Sequence, residues 1–127
     1  MRNPERVSRL ILYGGFAKGA ALRGTDSDRQ QREMQTQMIL QGWGKDNPAF
    51  RQFFTSLFMP GATKEQMDWF NELQRVTISP ENAARVYECA GTVDVTDLLG
   101  QVSMPTLVPH CRDDGIARFD IAAAWAP

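Results

Sequence analysis

Two short apolar runs lie at opposite ends of this chain, "LILYGG" at 10–15 and "PTLVPH" at 105–110, with a loop-like stretch, "FAKGAALRGTDSDRQ", and then helix-patterned sequence between them. Each run is too short and too continuous for an amphipathic helix and reads as a strand covered on both faces. Gly14 and Gly15 end the first, and Pro105 opens the second. Two strands joined by a long helical crossover are expected to run parallel, since an antiparallel pair needs only a tight turn. The expected fold class is therefore mainly α with a small parallel β element (α/β), in one domain of residues 1–127. Within it, 1–15 hold the first strand, 27–91 the helices, and 104–127 the second strand and the start of a helix.

The intervening segment repeats one grammar. Ser27 with Gln30 three residues on predicts a capping box that opens a helix to about residue 43, with Met34, Met38 and Ile39 inward. Asn47 predicts an N-cap with Pro48 at the first helical position. Phe50, Phe53, Phe54, Leu57 and Phe58 then make one wide apolar face. Thr63 and Gln66 form another box, followed by a stripe of Trp69, Phe70, Leu73 and Val76. Ser79 and Pro80 begin a fourth helix with Ala83, Val86, Tyr87 and Ala90 inward. "DVTDLLGQV" predicts one short helical turn, and "FDIAAAWAP" the first turns of a last helix.

Composition narrows the function classes. Fourteen basic residues against fifteen acidic ones, a formal net charge of −1, give no general attraction to nucleic acid or to an anionic membrane. No apolar run reaches the length of a membrane span. The N-terminal stretch carries Pro4 and Glu5 where a secretory leader carries basic and then apolar residues, so a cytoplasmic location is expected. With one histidine, and with Cys89 and Cys111 at no ligand spacing, neither a metal nor another cofactor is expected. The cysteines are expected to be reduced, buried and inert.

At this length of matching pattern the chain resembles a known family. "NPERVSRLILYGG", then "GWGKDNPAFRQFFTSLFMPGATKEQMDWFNELQRVTISPENAARV", then "DVTDLLGQVSMPTLVPHCRDD" are similar to the C-terminal half of an α/β-hydrolase. The closest flavour is the hydrolase-like domain attached to bacterial LuxR-type regulators and adenylate cyclases. The resemblance implies a truncated α/β-hydrolase-like fold, with a helical cap of about four helices between the two strands. It also implies that Asp114, with Asp113 beside it, matches the acid of a Ser–Asp–His triad.

The acid's partners do not occur in this sequence. Ser8, Ser27, Ser56, Ser79 and Ser103 all lack the Gly-x-Ser-x-Gly elbow, which the family places upstream of residue 1. The family's histidine follows the acid, beyond residue 127, whereas His110 precedes it and reads as a hydrogen-bonded, partly buried ring. An acid that orients a histidine has no catalytic role without one, so Asp114 reads as vestigial, a loop carboxylate at the start of the last helix. Pro109 removes a ladder donor and is expected to blunt the edge of its own strand.

These readings combine into a non-catalytic hydrolase-derived fragment acting as a binding or interaction module. The resemblance suggests a small apolar ligand, with Phe50, Phe54, Trp69 and Phe70 lining its cavity; burial against neighbouring helices is the plainer role for those rings. A subunit of a split hydrolase completed by a partner chain, and a small-molecule-sensing regulatory module, are the alternatives. Strands without neighbours invite pairing, so a homodimer or larger assembly is expected, with the strand at 10–13 as the favoured edge.

Overall fold

The computed structural model describes residues 3–119 and 121. After a 3-10 turn at Pro4–Arg6, strand β1 (Leu10–Ile11) leads into helices α1 (Ala20–Arg23), α2 (Asp26–Gly42), α3 (Ala49–Phe58), α4 (Lys64–Thr77), α5 (Pro80–Thr92) and α6 (Thr96–Leu99). Strand β2 (Thr106–Leu107) closes the order and lies parallel to β1, with Leu10 opposite Thr106 and Ile11 opposite Leu107. The described residues thus form a mainly helical fold with a small parallel sheet. The helix expected from Phe119 onward falls largely outside them.

Side-chain caps set the starts of α2, α4 and α5. Thr63 and Gln66 exchange the two bonds of a capping box at the head of α4, and Ser79 accepts from Asn82 N–H at 3.4 Å at the head of α5. The start of α2 differs from the expectation. Thr25, not Ser27, is the cap, and its box partner is Asp28, whose carboxylate accepts from Thr25 N–H at 2.7 Å. Asp26 and Asp28 in that first turn also complement the positive helix end, which favours the earlier start. Pro48 takes the cap position of α3, and Asn47 accepts from Ala49 N–H at 3.0 Å from one residue further out.

The apolar core joins α2, α3 and α5: Ile39, Trp43, Phe54, Ala83 and Ala84, with Phe53, Ile78 and Tyr87 packed against it. Phe54 is 3% exposed and meets Trp43, Phe53 and Tyr87 edge-on at 5.1–6.2 Å between ring centres. Such contacts follow from the opposed charges of ring edge and ring face. Trp43 Nε1–H donates to Gln74 O at 3.1 Å, which satisfies the buried indole.

The seam between α3 and α4 is polar, contrary to the periodicity argument. Arg51, 1% exposed, donates from Nε to Asn71 O at 2.9 Å, from Nη1 to Trp43 O and Lys45 O at 2.5 Å, and from Nη2 to Asp46 O at 3.5 Å. Beside it, Thr55 Oγ1 donates to Asn71 Oδ1 at 2.6 Å and accepts from Gln74 Nε2 at 2.7 Å, and Asn71 Nδ2 donates to Gln52 Oε1 at 2.7 Å. Because Asn71 and Gln74 turn inward, Trp69, Leu73 and Val76 of the expected α4 stripe turn outward, while Phe70 stays half-buried beside Phe58. Trp69 is 63% exposed, and Leu73 and Val76 are exposed with it, as are Phe50, Phe58, Val86 and Met34.

The strands are also less covered than their sequence implies, with Ile11 67% and Leu107 61% exposed. Pairing continues past the two-residue strands: Leu10 N–H donates to Pro105 O, Leu12 N–H to Leu107 O and Gly14 N–H to Pro109 O. Pro109 therefore faces β1, not the free edge. A residue there with an N–H would extend the ladder, so the proline shortens the pairing from within. Strand alternation sets the Thr106 and Val108 amides on the opposite, outer edge of β2, which no proline blunts. Both cysteines are exposed, which corrects their expected burial; Cys111 Sγ lies 3.1 Å from the Tyr13 hydroxyl.

Close packing at Gly19 ties the chain on either side of the helical segment together. Gly19 N–H donates to Val93 O at 2.7 Å and Val95 N–H to Ala17 O at 2.8 Å. A Cβ at Gly19 would lie 2.2 Å from the Gly91 carbonyl oxygen, a backbone atom with no rotamer to yield. Gly19→Ala is expected to cost about 1–3 kcal/mol by overpacking, and Phe54→Ala about 3–5 kcal/mol, both read by urea unfolding. Losses below about 1 kcal/mol would contradict the packing at these positions.

Candidate functional site

Beyond β2 the chain turns at residues 112–113 and places Asp114 against the end of β1. Asp114 N–H donates to Cys111 O at 3.3 Å. Its carboxylate Oδ1 accepts from Ile116 N–H at 2.8 Å and Ala117 N–H at 2.9 Å, a self-contained turn around the acid. Gly115 N–H donates to Leu57 O at 3.3 Å and so fastens this acid loop to the end of α3. Gly14, at φ 61°, is in the left-handed region, and a Cβ there would stand 3.9 Å from Asp114 Oδ2. The glycine lets β1 end in a turn directly beside the acid.

His110 is the nearest base, with its side chain 2% exposed. Its Nε2 is 3.8 Å from Asp114 Oδ2, beyond hydrogen-bond length, and bonds instead to the Ala117 carbonyl. A carbonyl only accepts, so Nε2 is the donor in this bond. Nδ1 is buried with no partner among the described residues. The ring stands edge-on to Phe119 at 6.2 Å. His110 is thus held by backbone and packing rather than oriented by the acid. Opposite, the Tyr13 phenol is held above its ordinary pKa, first by its hydrogen bond to Cys111 and the charge interaction with that group, then by desolvation and last by the charge of Asp114.

A cleft of about 570 Å³ opens between the acid loop and the helices. Gly115 and Ile116 form one wall, Phe54 and Leu57 of α3 the floor, and Arg32 of α2 with Tyr87 of α5 the far side. Arg32 Nη2–H donates to Tyr87 O at 2.9 Å, and its guanidinium lies 4.3 Å from the centre of the Tyr87 ring. The Tyr87 hydroxyl donates to Gln35 Oε1, and burial pushes the phenol up from its ordinary pKa. Gly91 admits this arrangement, because a Cβ there would lie 2.2 Å from Arg32 Nη2. A second cavity of about 320 Å³ lies on the other side of Arg32, lined in part by Glu33 and Glu88.

Of the four aromatic residues expected around a cavity, Phe54 lines this cleft; Phe50, Trp69 and Phe70 are not among its lining residues. Asp114 stands behind the wall that its loop supplies. Sequence reasoning missed Arg32 and Gln35, which belong to a helix with few apolar residues. Their trace is a spacing: positions 32 and 35 on α2 face positions 87 and 91 on α5. Among the described residues no group of three His, Cys, Asp or Glu side chains is placed to hold a metal ion. No described helix is long and apolar enough to cross a membrane.

No family model matches this chain, and no curated protein matches it. Among solved structures it is similar to an esterase from Exiguobacterium antarcticum, with a TM-score of 0.68 and 19% sequence identity over 94% of this chain and 44% of the esterase. The likeness shows an α/β-hydrolase-like fold, and the chain spans less than half the length of that esterase.

The Asp114 turn makes a direct prediction. Asp114→Asn keeps an oxygen for the Ile116 and Ala117 amides and is expected to change stability by less than about 0.5 kcal/mol, whereas Asp114→Ala costs about 1–2 kcal/mol. Equal losses for both, measured by urea unfolding, would show that the charge rather than the turn is what matters.

Proposed function

We propose that this chain is the cap-and-acid part of an α/β-hydrolase-like fold and serves as a binding module for a small molecule with an apolar body. The observation that carries the reading is the cleft itself, with a floor from the cap helix α3 and a wall from the acid loop. Its volume is that of an ordinary small-molecule site. Chemistry by these residues alone is not part of the reading. Asp114 spends Oδ1 on its own loop, His110 bonds to Ala117 O, and no serine of the sequence stands in a nucleophile elbow.

Nile red, a neutral apolar dye, is expected to bind the chain with a rise in fluorescence. Leu57→Trp, which fills the floor, should weaken binding at least tenfold, and Trp69→Ser should leave it unchanged. The reverse pattern would put the dye on the exposed face of α4 and reject the cleft. Hydrolysis of p-nitrophenyl acetate that Asp114→Ala abolishes would overturn the non-catalytic reading.

A second reading concerns assembly and rests on the sheet. Exposed Ile11 and Leu107 lie on a two-stranded sheet whose β2 outer edge has no proline facing outward. An open, apolar edge pairs with further strands, supplied by a second copy or by a separate chain that completes the hydrolase-like sheet. Light scattering is expected to give a dimer or larger species, which Ile11→Lys converts to monomer. A monomeric wild type would reject self-pairing, and a dimer unaffected by Ile11→Lys would reject the sheet as the interface.

A further inference from the structure

The two cavities beside Arg32 differ in charge. Around the smaller one, Arg29 and the shared Arg32 stand with two carboxylates, Glu33 and Glu88. Around the larger cleft stand Arg23 and Arg32, with Asp28 as the lining carboxylate. That carboxylate is occupied in the cap of α2, accepting from both Thr25 N–H and Thr25 Oγ1–H at 2.7 Å. Those bonds hold its pKa below the usual carboxylate range, so it stays charged at its own cap. Among the described residues, neither Arg23 nor Arg32 has a carboxylate within 4.0 Å, and Arg32 donates a hydrogen bond to the neutral Tyr87 carbonyl. Its guanidinium is held over the Tyr87 ring, partly buried and preorganised, with donors remaining. Arg23 and Arg32 thus bring guanidinium donors to a cleft that also presents the apolar Phe54, Leu57 and Ile116.

We propose that the cleft takes an amphiphile bearing one oxyanion, with the anion at Arg23 and Arg32 and the apolar body on Phe54, Leu57 and Ile116. The inference rests on the cleft being the ligand site and adds the chemical class of the ligand. Guanidinium groups pair with carboxylate and phosphate oxygens through two parallel N–H donors, which a neutral ligand of equal length cannot replace. The Gln31 amide at the same rim supplies a further donor.

The test is displacement of Nile red from the full chain by octanoate, octyl phosphate and 1-octanol, in low salt. At least one anion is expected to displace the dye at a tenfold lower concentration than 1-octanol. Octanoate alone doing so assigns a carboxylate, and octyl phosphate alone a phosphate monoester. Arg23→Gln, which breaks no side-chain hydrogen bond or ion pair among the described residues, should narrow the gap at least threefold while leaving 1-octanol unchanged, and Arg32→Gln should do the same if it folds. Equal displacement by the anions and 1-octanol, or a gap that survives Arg23→Gln, overturns the oxyanion assignment and leaves the apolar cleft standing. Failure of Nile red to bind, or of all three ligands to displace it, overturns the cleft reading and this one together.

Discussion

The fold depends on a cation buried where a hydrophobic residue is usual. Arg51 is 1% exposed, and its guanidinium donates to the carbonyls of Trp43, Lys45, Asp46 and Asn71. Burial is the main cause of its lowered pKa, with the like charge of Arg75 second; Glu72 and Asp46 act in the opposite direction. Each buried carbonyl left without a donor would cost about 1–3 kcal/mol. By satisfying carbonyls at the end of α2, in the loop after it and within α4, one side chain fixes three segments at once. The residues beside it follow from that. Thr55, Asn71 and Gln74 complete the seam, and Phe54, adjacent in sequence, is turned towards Trp43 and Tyr87. That turn makes Phe54 the floor of the cleft.

The sequence is legible where the information is local. Thr63 with Gln66, and Ser79 with Pro80, act as the helix starts that their spacing predicts, and the parallel pairing of the two apolar runs follows from the long helical connection. It misleads where a face is chosen by its partner. Trp69, Phe70, Leu73 and Val76 form the apolar stripe of α4, yet only Phe70 of them is half-buried and the fully buried residues are Asn71 and Gln74, because α3 offers Gln52, Thr55 and Arg51 to meet them. Periodicity in one helix ranks its faces by polarity and carries nothing about complementary polar groups on the next. Pro109 is a similar case. Proline in a strand marks a lost donor, but which edge loses it depends on register, and here the loss falls inside the ladder.

The site shows the same division. Asp114 could be singled out from its place after an apolar run, and the structure sets it beside Gly14 at the end of β1. Its use of Oδ1 for the Ile116 and Ala117 amides gives the carboxylate a structural role in shaping the loop. That loop in turn supplies a wall of the cleft and is fastened to α3 through Gly115. Arg32 and Tyr87, which approach each other only in the folded chain, supply the opposite side. The cap helices and the acid loop are therefore parts of one enclosure, and the geometry of both traces back to the seam that Arg51 holds.

That dependence is open to one direct measurement, the urea unfolding of Arg51→Met beside Trp69→Ala. Methionine preserves much of the buried volume but donates to no carbonyl, so the account predicts a loss of about 3 kcal/mol or more for Arg51→Met and less than about 1 kcal/mol for the exposed Trp69→Ala. A stability unchanged or raised by Arg51→Met, with a large loss for Trp69→Ala, would mean that the apolar stripe of α4 is the buried face and would contradict the account.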